Sequence, residues 1–175
     1  MMRLFVGLEL PAPVKAALIA SMGGVAGARW QRDEQLHLTL RFIGAVDRHQ
    51  ALDVAAALGR VNIRPFRAEL GAPGHFEHRG RIDTLWVGVR PAEPLAALAR
   101  AVNAALAGVG IAPDPRAFVP HISVARGRGM IGATGWPQAP IAALGWVVDG
   151  FALFESRMGK DGSDYQVIAR RNVKH

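Results

Sequence analysis

The segment Leu36-His37-Leu38-Thr39-Leu40-Arg41-Phe42 limits what this chain can fold into more than any other stretch. It alternates like a strand with two unlike faces. His37, Thr39 and Arg41 fall on one side, and Leu36, Leu38, Leu40 and Phe42 on the other. Val119-Pro120-His121-Ile122-Ser123-Val124 repeats the pattern, with His121 and Ser123 on one face and Ile122 and Val124 on the other. The motif His-apolar-hydroxyl-apolar thus occurs twice, on strands far apart in the chain.

The remaining segments arrange themselves around these two. Arg3 to Leu10 reads as a strand, broken by Pro11 and Pro13, which open a helix from Val14 to about Met22. Ala28 to Gln31 forms a short strand around Trp30. Asp47 caps a helix from Arg48 to about Leu58 that Gly59 ends. Phe66 to Leu70 starts a strand, and a Gly- and charge-rich loop runs from Gly71 to Arg81. Ile82 to Val89 is a strand, followed by the strongest helix pattern, Pro91 to Val109, with Leu95, Leu98, Ala99, Val102, Ala105 and Leu106 as its apolar stripe. Gly127 to Pro140 reads as a mobile surface loop. Trp146 to Glu155 and Tyr165 to Arg170 form an antiparallel pair turning through Gly159-Lys160-Asp161-Gly162.

The order β-α-(β)-β-α-β-β-α-β-β-β favours an α+β fold with antiparallel sheets over a parallel doubly wound one. The chain has 175 residues, half of them hydrophobic, and no stretch long enough to serve as a linker, so residues 1–175 are expected to form a single domain. Each histidine strand follows a comparable helix, which suggests two similar lobes.

The formal charge is +7 and is carried mostly by arginine; the lysines are Lys15, Lys160 and Lys174. Arginine's planar fork suits phosphate, although a coding bias toward Arg, Ala and Gly explains the preference equally well. The positive balance favours polyanionic partners. The absence of cysteine excludes disulfides, thiolate zinc sites and a cysteine nucleophile. The N-terminus lacks signal-peptide character, and no apolar run approaches the roughly 20 residues that span a bilayer. A cytoplasmic protein without membrane association, acting as a monomer, is the expectation.

Two histidines with reference pKa values near about 6.5 can divide acid and base roles between them. Cleavage of a phosphodiester needs that division: one imidazole takes a proton from the nucleophile and the other gives one to the leaving oxygen. Thr39 and Ser123, beside the histidines, can donate to non-bridging phosphate oxygens. Paired histidines also bind metals, but neither motif carries a nearby carboxylate on its own face. A structural role for each histidine is the third reading. His75 and His78, with Glu77 between them, read as a solvated loop, His49 as an exposed helix residue and His175 as a tail residue. No G-x-S-x-G elbow or P-loop is present.

Five segments together resemble the 2H phosphoesterase superfamily, and within it the bacterial and archaeal RNA 2′,3′-cyclic phosphodiesterases long called 2′-5′ RNA ligases. They are Met2-Arg3-Leu4-Phe5-Val6 with Glu9-Leu10-Pro11; Leu36 to Leu40 with Phe42-Ile43-Gly44; Leu85-Trp86-Val87-Gly88-Val89; Phe118 to Arg126; and Leu153-Phe154-Glu155-Ser156-Arg157 with Gly162 and Tyr165. The resemblance implies a two-lobed, duplicated α+β fold, with antiparallel sheets and flanking helices around a central cleft. It implies metal-independent, cofactor-free hydrolysis of a 2′,3′-cyclic phosphate at an RNA 3′ end (tRNA fragments or small cyclic nucleotides included) to a 2′-phosphomonoester. By that resemblance His37 is the proton donor and His121 the acceptor, and Thr39, Ser123 and Arg126 bind phosphate. Phe42 shapes the cleft near the base, although its alternation says core. Arg126 alternates to the face opposite His121 and reaches the cleft only if the strand ends or bulges. Ser123 stands where the family usually has threonine; the hydroxyl survives with a freer rotamer. Ligation through a 2′-5′ linkage and a non-catalytic basic RNA-binding module are the competing functions.

Overall fold

The computed structural model describes residues 1–173. Nine strands form two antiparallel sheets. β1 (Met2–Leu8), β3 (Leu38–Val46), β8 (Gly150–Gly159) and β9 (Gly162–Asn172) make the first, in the order β3-β1-β8-β9. β2 (Arg29–Trp30), β4 (Phe66–His78), β5 (Arg81–Arg90), β6 (His121–Arg126) and β7 (Gly145–Val148) make the second, in the order β2-β6-β5-β4-β7. Each sheet holds one histidine strand. The fold is α+β, as the element order implies.

Three helices complete it: α1 (Ala12–Ala20), α2 (Arg48–Leu58) and α3 (Ala92–Ala107). Pro11 and Pro13 start α1, where missing amide donors cost nothing. Asp47 caps α2, its carboxylate accepting from the Gln50 amide at 2.8 Å. α3 buries Leu95, Leu98, Ala99, Val102 and Leu106, the stripe its spacing predicts, and packs against β3 and α2. One hydrophobic cluster runs through residues of both sheets and all three helices. No helix among the described residues is long and apolar enough to cross a membrane.

Several segments differ from expectation. The Gly-rich stretch 71–81 is not a loop: β4 runs on to His78 and turns at Arg79-Gly80 into β5. Gly74 fits there because the Trp86 ring lies over it; a Cβ would stand 2.3 Å from that ring. The single strand expected over 146–155 is two strands. Asp149 alone separates β7, in the second sheet, from β8, in the first. Within 127–140, Ala133 and Trp136 are buried, and the Trp136 indole donates to the Ser21 carbonyl at 2.7 Å, tying this segment to the end of α1. His37 lies one residue ahead of β3 as paired. His75 and His78 are exposed but belong to β4, and His175 lies outside the described residues.

The main departure is a matched irregularity in the two histidine strands. β1 pairs Val6 with Arg41 but Gly7 with Thr39, so Leu40 is an extra residue on β3. β5 pairs Leu85 with Ala125 but Trp86 with Ser123, so Val124 is an extra residue on β6. In both strands the extra residue directly follows the hydroxyl residue of the motif. A bulge of this kind reverses the face of the residues beyond it, as far as the next irregularity, which in β3 comes at Ile43.

Gly7 lies where β1 comes closest to the motif strand, and a Cβ there would stand 2.7 Å from the Leu38 carbonyl oxygen. Gly7→Ala should therefore lower the unfolding free energy by about 1–3 kcal/mol, as overpacked sites do, measured by urea denaturation.

Candidate active site

His37 and His121 face a common cleft and lie near enough that a charge on His121 lowers the proton affinity of His37. The 3-10 turn Asp33–Gln35 delivers the first of them. Gln35 is buried; its side-chain oxygen accepts from the Arg32 amide at 2.9 Å, and its side-chain nitrogen donates to the Ser163 carbonyl at 2.8 Å. The start of β9 thereby holds Gln35 still. The Gln35 carbonyl then accepts from His37 Nδ1 at 2.7 Å. His121 repeats this: its Nδ1 donates to the Val119 carbonyl at 2.5 Å, two residues back. A carbonyl can only accept, so both imidazoles carry hydrogen on Nδ1 and, when neutral, have a bare Nε2. His37 Nε2 meets the Thr39 hydroxyl at 2.9 Å.

Each ring rests on an aromatic bed supplied by its own sheet. His37 packs on Phe5 (4.7 Å between centroids) and Tyr165 (5.1 Å), with Phe154 behind. His121 packs edge-on against Phe76 at 4.9 Å and beside Trp86 at 5.9 Å. Burial removes water from both rings and disfavours the imidazolium. The His37 pKa falls to about 4, chiefly through this desolvation, with the positive charges of Arg126, His121 and Lys15 adding to it and the Gln35 carbonyl opposing. His121 moves down for the same leading reason, with Arg126 adding and the Val119 carbonyl opposing.

The bulges decide which neighbours join the pair. Beyond Leu40 the faces of β3 exchange. Arg41, which alternation places with His37 and Thr39, turns inward and is 6% exposed, whereas Phe42, which alternation assigns to the core, faces the cleft and is 49% exposed. Arg41 donates to Asn103 Oδ1 at 2.6 Å and to the carbonyls of Phe42 and Ala112, fastening the chain that leads into β6. Beyond Val124, Arg126 returns to the face of His121 and Ser123, meeting the condition its position requires. Thr39, Phe42 and His121 thus line one cavity, His37 and Arg126 lie close enough for their charges to act on the pair, and Ser123 shares the His121 face of β6.

Residue spacing alone does not reveal three further contributors. Phe76 comes from the stretch read as a loop. Gln35 acts through its backbone and side chain together. Asp114 and Arg116 form a forked pair (3.0 and 2.7 Å) beside Phe42, whose ring lies 5.9 Å from the Arg116 guanidinium carbon; Arg116 holds the Asp114 carboxyl down at about 2. These residues and Phe118 line a cavity of about 350 Å3 that begins at Thr39 and His121. Among the described residues, no group of three or more His, Cys, Asp or Glu side chains is placed to hold a metal ion.

Each of the two antiparallel sheets thus presents one histidine and one hydroxyl residue of the repeated motif. Residues 11–159 match the 2′-5′ RNA ligase superfamily, and the chain belongs to that family. The RNA 2′,3′-cyclic phosphodiesterase of Thermus thermophilus is 32% identical over 187 residues, covering 99% of this chain and 91% of its own. The Escherichia coli K12 protein of the same name is 28% identical over 174 residues, 96% of this chain and 94% of its own. Among solved structures, a second Thermus thermophilus match superposes with a TM-score of 0.82 at 29% identity, covering 98% of this chain and 97% of that one. E. coli LigT complexed with 3′-AMP superposes with a TM-score of 0.79 at 25% identity, covering 99% of each chain.

In the free protein the unfolded chain binds the His37 proton at about pH 6.5, and the folded chain only at about 4. Between these values the unfolded state holds more protons, so acidification across the window lowers stability. Urea midpoints should fall from pH 6.5 to pH 4, and fall less steeply in His37→Leu. An NMR titration should place the His37 ring well below an ordinary histidine.

Proposed function

We propose that the chain hydrolyses 2′,3′-cyclic phosphate ends of RNA to 2′-phosphomonoesters by proton transfer between two histidines, with no step routed through a metal. The observation that carries this reading is the repeated geometry of the pair: each Nδ1–H is tied to the carbonyl two residues back, each Nε2 is left for chemistry, and each ring has a hydroxyl residue two positions on. Membership of the superfamily and the shared name of its relatives support the enzyme class. The 3′-AMP bound by E. coli LigT supports a nucleotide in the cleft.

In this mechanism His121 Nε2 takes a proton from water as its oxygen attacks phosphorus. The P–O3′ bond breaks, and His37 Nε2–H gives its proton to O3′, leaving a 2′-phosphate and a free 3′-hydroxyl. Thr39, Ser123 and Arg126 hold the non-bridging oxygens, whose charge is held best by fixed donors. Protonation and binding are linked at Thr39. While His37 is neutral, the Thr39 hydroxyl donates to Nε2; once Nε2 carries hydrogen, that hydroxyl is free to donate to phosphate. An arriving anion also offsets Arg126, so substrate binding raises the proton affinity of both rings. The terminal base lies against Phe42.

His37→Ala and His121→Ala should fold with near wild-type circular dichroism yet lose about 10²–10⁴ in kcat on an oligonucleotide ending in a 2′,3′-cyclic phosphate. EDTA should change the wild-type rate little, and chromatography should identify the product as a 2′-phosphate. Full activity in the double variant would sink the reading.

Because both free rings sit below the ordinary histidine range and the bound anion lifts them, the bell of kcat/KM should lie at lower pH than the bell of kcat. Steady-state kinetics between pH 4 and 9 provide the comparison. Superimposed bells would show that substrate binding leaves the pair's proton affinity alone.

A further inference from the structure

Counting from each histidine, Phe42 and Arg126 occupy the same position beyond the same bulge. The two ends of the groove therefore correspond, but their chemistry differs. The Phe42 end carries Phe76 and Phe118. The Arg126 end opens into a second cavity of about 430 Å3, lined by Arg29, Trp30, Arg32, Gln35, Ser163 and Tyr165 among others. We propose that this second cavity is a separate phosphate subsite, which holds the next chain phosphate of the RNA whose terminal cyclic phosphate lies at the histidines. The proposal rests on the cyclic-phosphodiesterase reading and adds a preference for a polynucleotide end over a lone cyclic nucleotide.

The cation arrangement carries it. β2 and β6 pair Arg29 directly with Arg126, and like charges placed opposite each other across strands are destabilising. Neither arginine has a salt bridge or side-chain hydrogen bond among the described residues. The carboxylates on that side are engaged elsewhere. Glu34 and Asp164 are bound by Arg32 at 2.6 and 2.8 Å, and Asp161 lends Arg32 its carbonyl at 3.0 Å and its charge. Arg29 and Arg126 are thus left as adjacent, solvent-exposed forks beside the reacting centre. Arg126 reaches the first phosphate, and Arg29, one strand further out, reaches a second. A guanidinium pair suits neighbouring phosphates because each fork makes two parallel hydrogen bonds.

The test compares a nucleoside 2′,3′-cyclic phosphate with a dinucleotide that ends in the same cyclic phosphate. Wild-type kcat/KM should favour the dinucleotide by about tenfold, the scale of one charge-assisted contact, mainly through KM, and the preference should shrink as salt rises. Arg29→Ala should bring the ratio close to one, with the loss falling on the dinucleotide, and Arg29→Lys should retain part of it. Equal efficiency on the two wild-type substrates would overturn the proposal. So would an Arg29→Ala loss of equal size on both, which would assign Arg29 to the reacting phosphate. If the wild type hydrolyses neither substrate, the cyclic-phosphodiesterase reading fails as well.

Discussion

One additional residue directly after the hydroxyl residue of each motif governs the site. Leu40 and Val124 have no counterparts on β1 and β5, and each therefore reverses the strand face just after the motif. Without the first, Phe42 would point into the core and Arg41 into the cleft. Without the second, Arg126 would point away from His121. The motifs place the two imidazoles, and the bulges place their surroundings. The pleat continues in apolar residues, with Leu38, Leu40, Ile122 and Val124 all buried, so the faces that carry the histidines stand on rigid supports.

The electrostatic state follows from the packing. Aromatic beds beneath His37 and His121 fix the rings and exclude water, and the same exclusion withholds protons from them. The carbonyls of Gln35 and Val119 oppose that effect in part and fix the tautomer. The cleft is thus held in a state that an anion can reverse. Arg126 lowers the proton affinity of both rings in the free protein, and in the proposed reaction the substrate anion offsets it.

Much of this was legible in the sequence, for physical reasons that can be named. Alternation exposed both His-x-hydroxyl strands because the leucines, Ile122 and Val124 face the core consistently. The α3 stripe, the Asp47 cap and the antiparallel pairing came from spacing and local chemistry. Bulges leave spacing intact while changing direction, so the exchanged roles of Arg41 and Phe42 were hidden; the condition on Arg126 could be stated but not met from spacing. The hairpin over 71–81 was masked by glycines that serve close approach, as Gly74 does beneath Trp86, rather than loop freedom. The crossing from β7 to β8 was hidden because only Asp149 and Gly150 interrupt the apolar residues there, too brief a break to mark a change of sheet. Phe76 and Gln35 carry no motif, and their roles depend on neighbours distant in the chain.

The difference between Phe42 and Arg126 also bears on regiochemistry. In a groove with two identical halves, either imidazole could act as the acid, and a cyclic phosphate could enter either way round. Cleavage would then release O2′ or O3′ indifferently. In the proposed reaction, an aromatic ring at one end and a guanidinium at the other give the groove a direction and so set which way the ribose lies across it. The proposed choice of which ester oxygen departs would then be made at two positions that correspond, residue for residue, beyond the two bulges.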